Sequence, residues 1–154
     1  LDIAEAMARQ FNSDLYQTYS EIARASAPPA ERLRKVFHFN LDQTYDAIER
    51  EAKILEVAEV LGEERPLFMN EGLAQERIYL CTILEDGVER GDFAPIADCN
   101  YTAEMIQSAL MKYRFPQLFS RLTLPKLRRE LNGCLDIVVA ALQKGIEKTP
   151  ETEH

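Results

Sequence analysis

The side chains with the most chemistry to offer here are two histidines, three cysteines and six tyrosines. Glu151 and His154 carry the Glu-x-x-His spacing that sets a carboxylate and an imidazole on one helix face as metal ligands. A carboxylate-bridged metal pair needs two such motifs on inward faces. This one stands alone in a polar tail with no cavity around it, so no metal site is expected. His38, the only histidine in the body of the chain, sits between Phe37 and Phe39. It reads either as a part-buried ring satisfied by a carbonyl or carboxylate, or as a contact to a bound molecule. Cys81, Cys99 and Cys134 are odd in number, far apart and without a C-x-x-C pair, the pattern of free buried thiols. Tyr45, Tyr79, Tyr101 and Tyr113 each place a phenol on an otherwise apolar face. Such a phenol packs in a core or lines a pocket and hydrogen-bonds a ligand.

Catalytic patterns are missing. There is no G-x-G-x-x-G, no G-x-x-x-x-G-K, no G-x-S-x-G and no H-E-x-x-H, and no nucleophile has a base beside it, so neither an enzyme nor a cofactor is expected. Charge excludes another class. Lys plus Arg total 18 against 26 for Asp plus Glu, a net charge of -8, which is the wrong sign for a chain that would neutralise phosphates. No apolar run approaches a membrane span, and Leu1-Asp2-Ile3-Ala4-Glu5 lacks the basic start of a signal peptide. A cytoplasmic location without membrane contact is the expectation. The chain opens without an initiator Met and already inside an amphipathic pattern, as though a preceding segment had been removed.

The elements that must position these residues are helices. Ala4, Ala8, Phe11, Leu15, Thr18 or Tyr19, and Ile22 fall in steps of three and four, one stripe of a helix that ends before Ala27-Pro28-Pro29. Pro29 suits a first helical position, and Leu33, Val36, Phe37, Phe39, Leu41, Tyr45 and Ile48 form a broad stripe behind it. Glu49-Arg50-Glu51 marks a break before a shorter helix with Ile54, Leu55, Val57, Ala58 and Leu61. A long helix then runs from Pro66 through Leu73, Arg77, Leu80, Leu84 and Val88 to Gly91, whose left-handed conformation would close it. Asp98 or Asn100 caps the next, which carries Tyr101, Met105, Ile106, Leu110 and Tyr113 as far as Pro116. From a Thr123 cap, Leu124, Leu127, Leu131, Leu135, Val138, Leu142 and Ile146 keep a heptad-like seam in the last helix. Asn132-Gly133 has the composition of a hairpin turn, but the periodicity crosses it unbroken, so Gly133 is read as a point of close backbone approach. The expected fold is all-α, a bundle of five to six helices over residues 1–148, with 149–154 a disordered tail. The final two helices are too apolar for one core and call for a second burial partner.

The run Ile83-Leu-Glu-Asp-Gly-Val-Glu-Arg-Gly-Asp-Phe93, with Asp98, Ala103 through Ala109-Leu110, and Lys112-Tyr113-Arg114-Phe115-Pro116, resembles the C-terminal half of TetR-family transcriptional regulators. The resemblance covers roughly residues 66–146, and the earlier helices by length and order only. It implies an effector-binding and dimerisation domain whose last two helices form a four-helix bundle with the same pair from a second subunit. Ile106, Leu110, Tyr113, Leu131, Leu135, Val138 and Leu142 are the expected interface. A small apolar or aromatic effector would sit among Phe37, Leu41, Tyr45, Tyr79, Leu80, Ile83, Tyr101 and Met105, oriented by the phenols and His38. Family members begin with a basic helix-turn-helix segment, and nothing of that kind precedes Leu1. DNA contact is therefore expected only through a missing N-terminal segment. The competing expectation is a free-standing helical protein-protein interaction module.

Overall fold

The computed structural model describes residues 1–119 and 121–146, so the expected tail at 149–154 lies outside them. Among the described residues the regular structure is entirely helical, as the periodicities require. The elements are α1 (Asp2–Arg24), α2 (Pro29–Arg50), α3 (Lys53–Glu64), α4 (Pro66–Glu89), α5 (Cys99–Ala109), a 3-10 turn (Met111–Tyr113), α6 (Pro116–Phe119) and α7 (Leu124–Lys144). None of these helices is long and apolar enough to cross a membrane.

The punctuation read in the sequence is where the helices begin and end. Pro29 and Pro66 occupy first-turn positions of α2 and α4, where a missing N–H costs nothing. Asp98 caps α5, its carboxylate accepting the Tyr101 N–H at 3.0 Å. Thr123 precedes α7 without a side-chain capping bond, so only its position matches the expectation. Gly91 takes φ +80° just past α4, and the Phe93 N–H reaches back 3.0 Å to the Gly87 carbonyl. The Phe93 ring is thereby laid against Gly87, where a Cβ would sit 2.2 Å from the ring. Replacing Gly87 by alanine is expected to cost about 1–3 kcal/mol through overpacking, despite alanine's better helix propensity. Chemical denaturation of the variant measures it.

The helix after Asp98 is shorter than expected. It ends at Ala109, and a 3-10 turn replaces its last turn. Pro116 offers no N–H to the Lys112 carbonyl and its ring clashes there, so an α-helix cannot run smoothly through this stretch. The break turns Arg114 inward. By contrast α7 continues unbroken through Asn132-Gly133. A Cβ added at Gly133 would meet no atom within 4 Å, so the close approach expected there is not made within the chain.

The two central helices are α2 and α4. Helices α1 and α3 lie against them on one side, while α5 packs on α4 and α7 on α2 on the other. Leu33, Leu41, Leu80, Ile83, Leu84, Leu127, Leu131 and Leu135 are fully buried along this stack. A buried guanidinium ties its end. Arg32 donates through Nε to the Ala27 carbonyl and through Nη1 to the Ala23 carbonyl, both at 2.8 Å, and its Nη2 pairs with Asp86 on α4. The α1–α2 loop is thus fastened to the end of the long helix. The Arg32 hydrogen bond holds the Asp86 carboxyl below its ordinary range. A carboxyl whose pKa is depressed by folding contributes stability above its unfolded value, about 3.9, and loses that contribution as pH falls through the folded value. Melting temperatures of wild type and Asp86→Asn should therefore differ above pH about 4 and converge below it.

Candidate functional site

The packing is solid between α2, α4, α5 and α7 and incomplete between α1, α2, α3 and α4. There a cavity of about 800 Å³ opens. Its wall is mostly aliphatic and small: Ala4, Ala8 and Leu15 from α1, Ala47 from α2, Ile54, Val57, Ala58 and Leu61 from α3, and Leu73 from α4. Alanines on three facing helices hold the backbones at a normal packing distance yet leave the space between them unfilled. Leu1, Ile3, Met7, Phe11, Phe68, Met69 and Phe115 add to the apolar surface, and Asp14, Glu51 and Lys53 stand exposed at its rim.

One end of the cavity is polar. Tyr16 donates to the Gly72 carbonyl at 3.2 Å, a contact open because Gly72 has no side chain; a Cβ there would lie 3.3 Å from the phenol oxygen. Asn40 donates 2.7 Å to the Tyr19 hydroxyl. Behind them Arg114 forks onto Glu76, Nη1 to Oε2 at 3.0 Å and Nη2 to Oε1 at 2.8 Å. The Glu76 side chain is 3% exposed and that of Arg114 16%. Burial disfavours the charged guanidinium, but the Glu76 carboxylate outweighs it and raises the Arg114 pKa. Burial, and then the same carboxylate, push the Tyr16 and Tyr19 phenols up, so both keep their protons at neutral pH. Arg114 Nε is buried with no hydrogen-bond partner among the described residues.

The polar end is wired outward. Gln107 of α5 donates to Glu76 at 3.3 Å and to the Leu73 carbonyl at 3.0 Å, and accepts from Arg77 at 3.0 Å. Arg77 also donates to Asn100 at 3.1 Å. A chain of polar contacts therefore runs from the cavity wall to the outer helix α5.

The sequence profile of the family described as "Tetracyclin repressor-like, C-terminal domain" matches residues 29–134, more than half of the 154-residue chain. The chain belongs to that family. No curated protein and no solved structure gives a match.

Within this TetR-like domain the residues expected to hold an effector are elsewhere. None of Phe37, His38, Leu41, Tyr45, Tyr79, Leu80, Ile83, Tyr101 and Met105 is in the cavity wall. Phe37, Leu41, Leu80 and Ile83 are spent on the core, because the broad stripes of α2 and α4 face each other and interlock. Tyr45 is part-buried against that core. Tyr101 and Met105 are on the outside, 51% and 41% exposed. His38 Nε2 lies 2.6 Å from the Asn132 amide oxygen of α7, the satisfied arrangement. Tyr79 comes nearest: its ring stacks on Tyr16, centroids 6.1 Å apart, and so supports the wall from behind. The cysteines are free and half-buried, and burial, with Cys99 adding to it, pushes the Cys81 thiol up to about 11, so it is no thiolate at neutral pH.

The expected interface residues are also turned inward. Ile106, Leu110, Tyr113, Leu131, Leu135 and Leu142 are at most 7% exposed within the single chain, and Val138 is half-buried. The heptad seam of α7 is its contact with α2 and the core, since the most apolar stripe of a helix is the one its own chain covers first. What faces out is Ile137 at 73%, with Gly133 and Ala140 one turn to either side.

Sequence periodicity missed Asn12, Tyr16, Asn40, Thr44, Glu76 and Arg114. The readable signal was Glu76. It falls three residues after Leu73 and four before Leu80, inside the apolar stripe of α4, where a carboxylate must find a buried cation. Arg77, assigned to that stripe, is only part-buried.

Proposed function

We propose that the cavity is the effector site of a ligand-responsive transcriptional regulator, and that the outward faces of α5 and α7 pair with their copies in a second subunit. What carries this is the cavity itself: about 800 Å³, mainly apolar, with a few convergent polar groups, inside a domain of the TetR-like C-terminal family. Sites for small molecules have this size and composition. In this reading DNA is contacted by a helix-turn-helix segment preceding α1, and α1 supplies one wall of the cavity. A molecule seated between α1 and α3 changes the tilt of α1 and so the spacing of the two DNA-reading heads. A coupling of about 1–3 kcal/mol is enough for regulation.

Ala8, on the cavity-facing side of α1, provides the test. Screened against a broad library of apolar compounds, the wild-type domain should give some that raise its melting temperature, since a ligand that binds only the folded state stabilises it. Ala8→Trp fills the space and should abolish those shifts. Loss of the effector reading follows if no compound shifts wild type, or if the shifts survive in Ala8→Trp.

A further inference from the structure

The polar end of the cavity has an electrostatic balance that selects the charge of its occupant. Glu76 and Arg114 are both withdrawn from solvent and both engaged, two oxygens against two nitrogens, so their charges cancel at the wall. A carboxylate brought to this end would face Glu76 with the guanidinium already matched, leaving one net negative charge in a low-dielectric site. An ammonium group would leave a net positive charge beside Arg114. Either is costly where water is excluded.

What the end retains is neutral hydrogen-bonding capacity. Thr44 and Asn12 are in the wall and bring a hydroxyl and an amide to it. The Tyr19 hydroxyl and the Arg114 Nε are fully buried behind the wall, so the groups an occupant meets are the Tyr16 phenol, the Asn12 amide and the Thr44 hydroxyl. These suit an oxygen that accepts and, in a hydroxyl, also donates. From that end the cavity follows α1 back to Ala4, and fifteen residues of helix give it a length of roughly 22 Å. Ala4, Ala8, Ile54, Val57, Ala58 and Leu61 make most of this length aliphatic, and the charged residues of its border other than the Glu76–Arg114 pair, Asp14, Glu51 and Lys53, are exposed at its solvent rim.

We propose that the occupant is an uncharged molecule with an extended aliphatic body and one terminal oxygen function, an alcohol or a ketone, seated head-first against Asn12, Tyr16 and Thr44 beside the Glu76–Arg114 pair. This rests on the cavity being the effector site. The decisive probes share one body and differ in head charge: dodecanol, dodecanoate and dodecylammonium, each titrated into the 154-residue chain at neutral pH and read by calorimetry and melting temperature. Dodecanol should bind saturably, and each charged analogue at least about tenfold more weakly, the factor that about 1.4 kcal/mol produces. Glu76→Gln unbalances Arg114, so dodecanoate should gain at least about tenfold on dodecanol. Thr44→Val keeps the shape and removes the hydroxyl, and it covers the case in which Glu76→Gln fails to fold. It should weaken dodecanol by about three- to tenfold, the net worth of one neutral hydrogen bond.

The head-group inference is overturned if wild type prefers dodecanoate, if no probe binds, or if Thr44→Val holds dodecanol as tightly as wild type. A folded Glu76→Gln that keeps the wild-type order overturns it too. Ala8→Trp separates this from the broader reading. Probes that bind wild type and Ala8→Trp alike are not in the cavity, and the effector assignment falls with them. Probes blocked by Ala8→Trp but ranked with the carboxylate first leave the effector site standing and remove only the neutral head.

Discussion

Arg114→Met is expected to destabilise the domain by about 3–5 kcal/mol, the cost of leaving a buried carboxylate without its cation. Glu76 is 3% exposed and, among the described residues, its carboxylate holds only the Gln107 amide besides the guanidinium. Methionine fills much of the same volume, so the loss is electrostatic rather than steric. Arg114→Lys should recover only part of it, since one ammonium cannot reproduce a fork that meets both oxygens. In the double variant Glu76→Gln/Arg114→Met no charge remains buried at this site, the new amide on α4 keeps a partner in Gln107, and most of the stability should return. Urea denaturation of the three variants reads the comparison directly. A loss below about 1 kcal/mol in Arg114→Met would mean that the pair behaves as a solvated surface ion pair. The same experiment probes the route out of the cavity, because Glu76 and Gln107 connect it to α5.

The helices were legible because their boundaries are local chemistry. Pro29, Pro66, Gly91 and Asp98 act through φ, a missing N–H or a single capping bond, and each acts within a few residues of itself. The all-α class followed from the spacing of Leu, Val and Ile alone. The cavity was not legible, because it is a difference between what four helices bring together and what fills the space. Ala4, Ala8 and Ala58 read as ordinary stripe positions one helix at a time, and only their convergence with Ala47 leaves a void. The richest apolar stripes pointed elsewhere for the same reason. Phe37, Leu41, Leu80 and Ile83 are large enough to satisfy one another and close the space they share. Arg114 was hidden by the expectation of continuous helix to Pro116; only the 3-10 turn at Met111–Tyr113 swings it inward. Of the heptad seam expected in α7, Leu127, Leu131, Leu135 and Leu142 are buried within their own chain while Ile146 is 65% exposed, since a seam shows which face is buried without showing by what.

That last distinction sets the second prediction, in which Ile137→Arg dissociates a dimer and Leu135→Ala does not. The segment that carries α5 runs opposite to α7 and is tied to it at both ends, by Lys112 to Glu130 at 3.0 Å and Tyr113 to Cys134 at 3.6 Å from the 3-10 turn, and by the Ala94 N–H to the Leu142 carbonyl at 2.9 Å from the loop before α5. On the side away from α2, Ile137 is 73% exposed between Gly133, which has no side chain, and Ala140, whose methyl is small, so a second backbone can approach. In a twofold contact the same patch supplies both sides, so a residue near the axis meets its own copy. Ile137→Arg then places two guanidinium groups against each other in a desolvated centre, a like-charge juxtaposition worth several kcal/mol, or at least about a hundredfold in dissociation constant. Leu135 faces the other way and is fully buried in its own subunit. Leu135→Ala should therefore cost about 2–5 kcal/mol in the fold and leave the association of the folded fraction unchanged. Light scattering across a concentration series, with denaturation of each variant alongside, separates the two effects. The wild-type domain should be dimeric at micromolar concentration, as expected for a contact burying at least about 1,200 Å². A monomeric wild type, or a dimer that tolerates Ile137→Arg, would remove this face from the interface and leave the outward apolar residues of α7 without a partner.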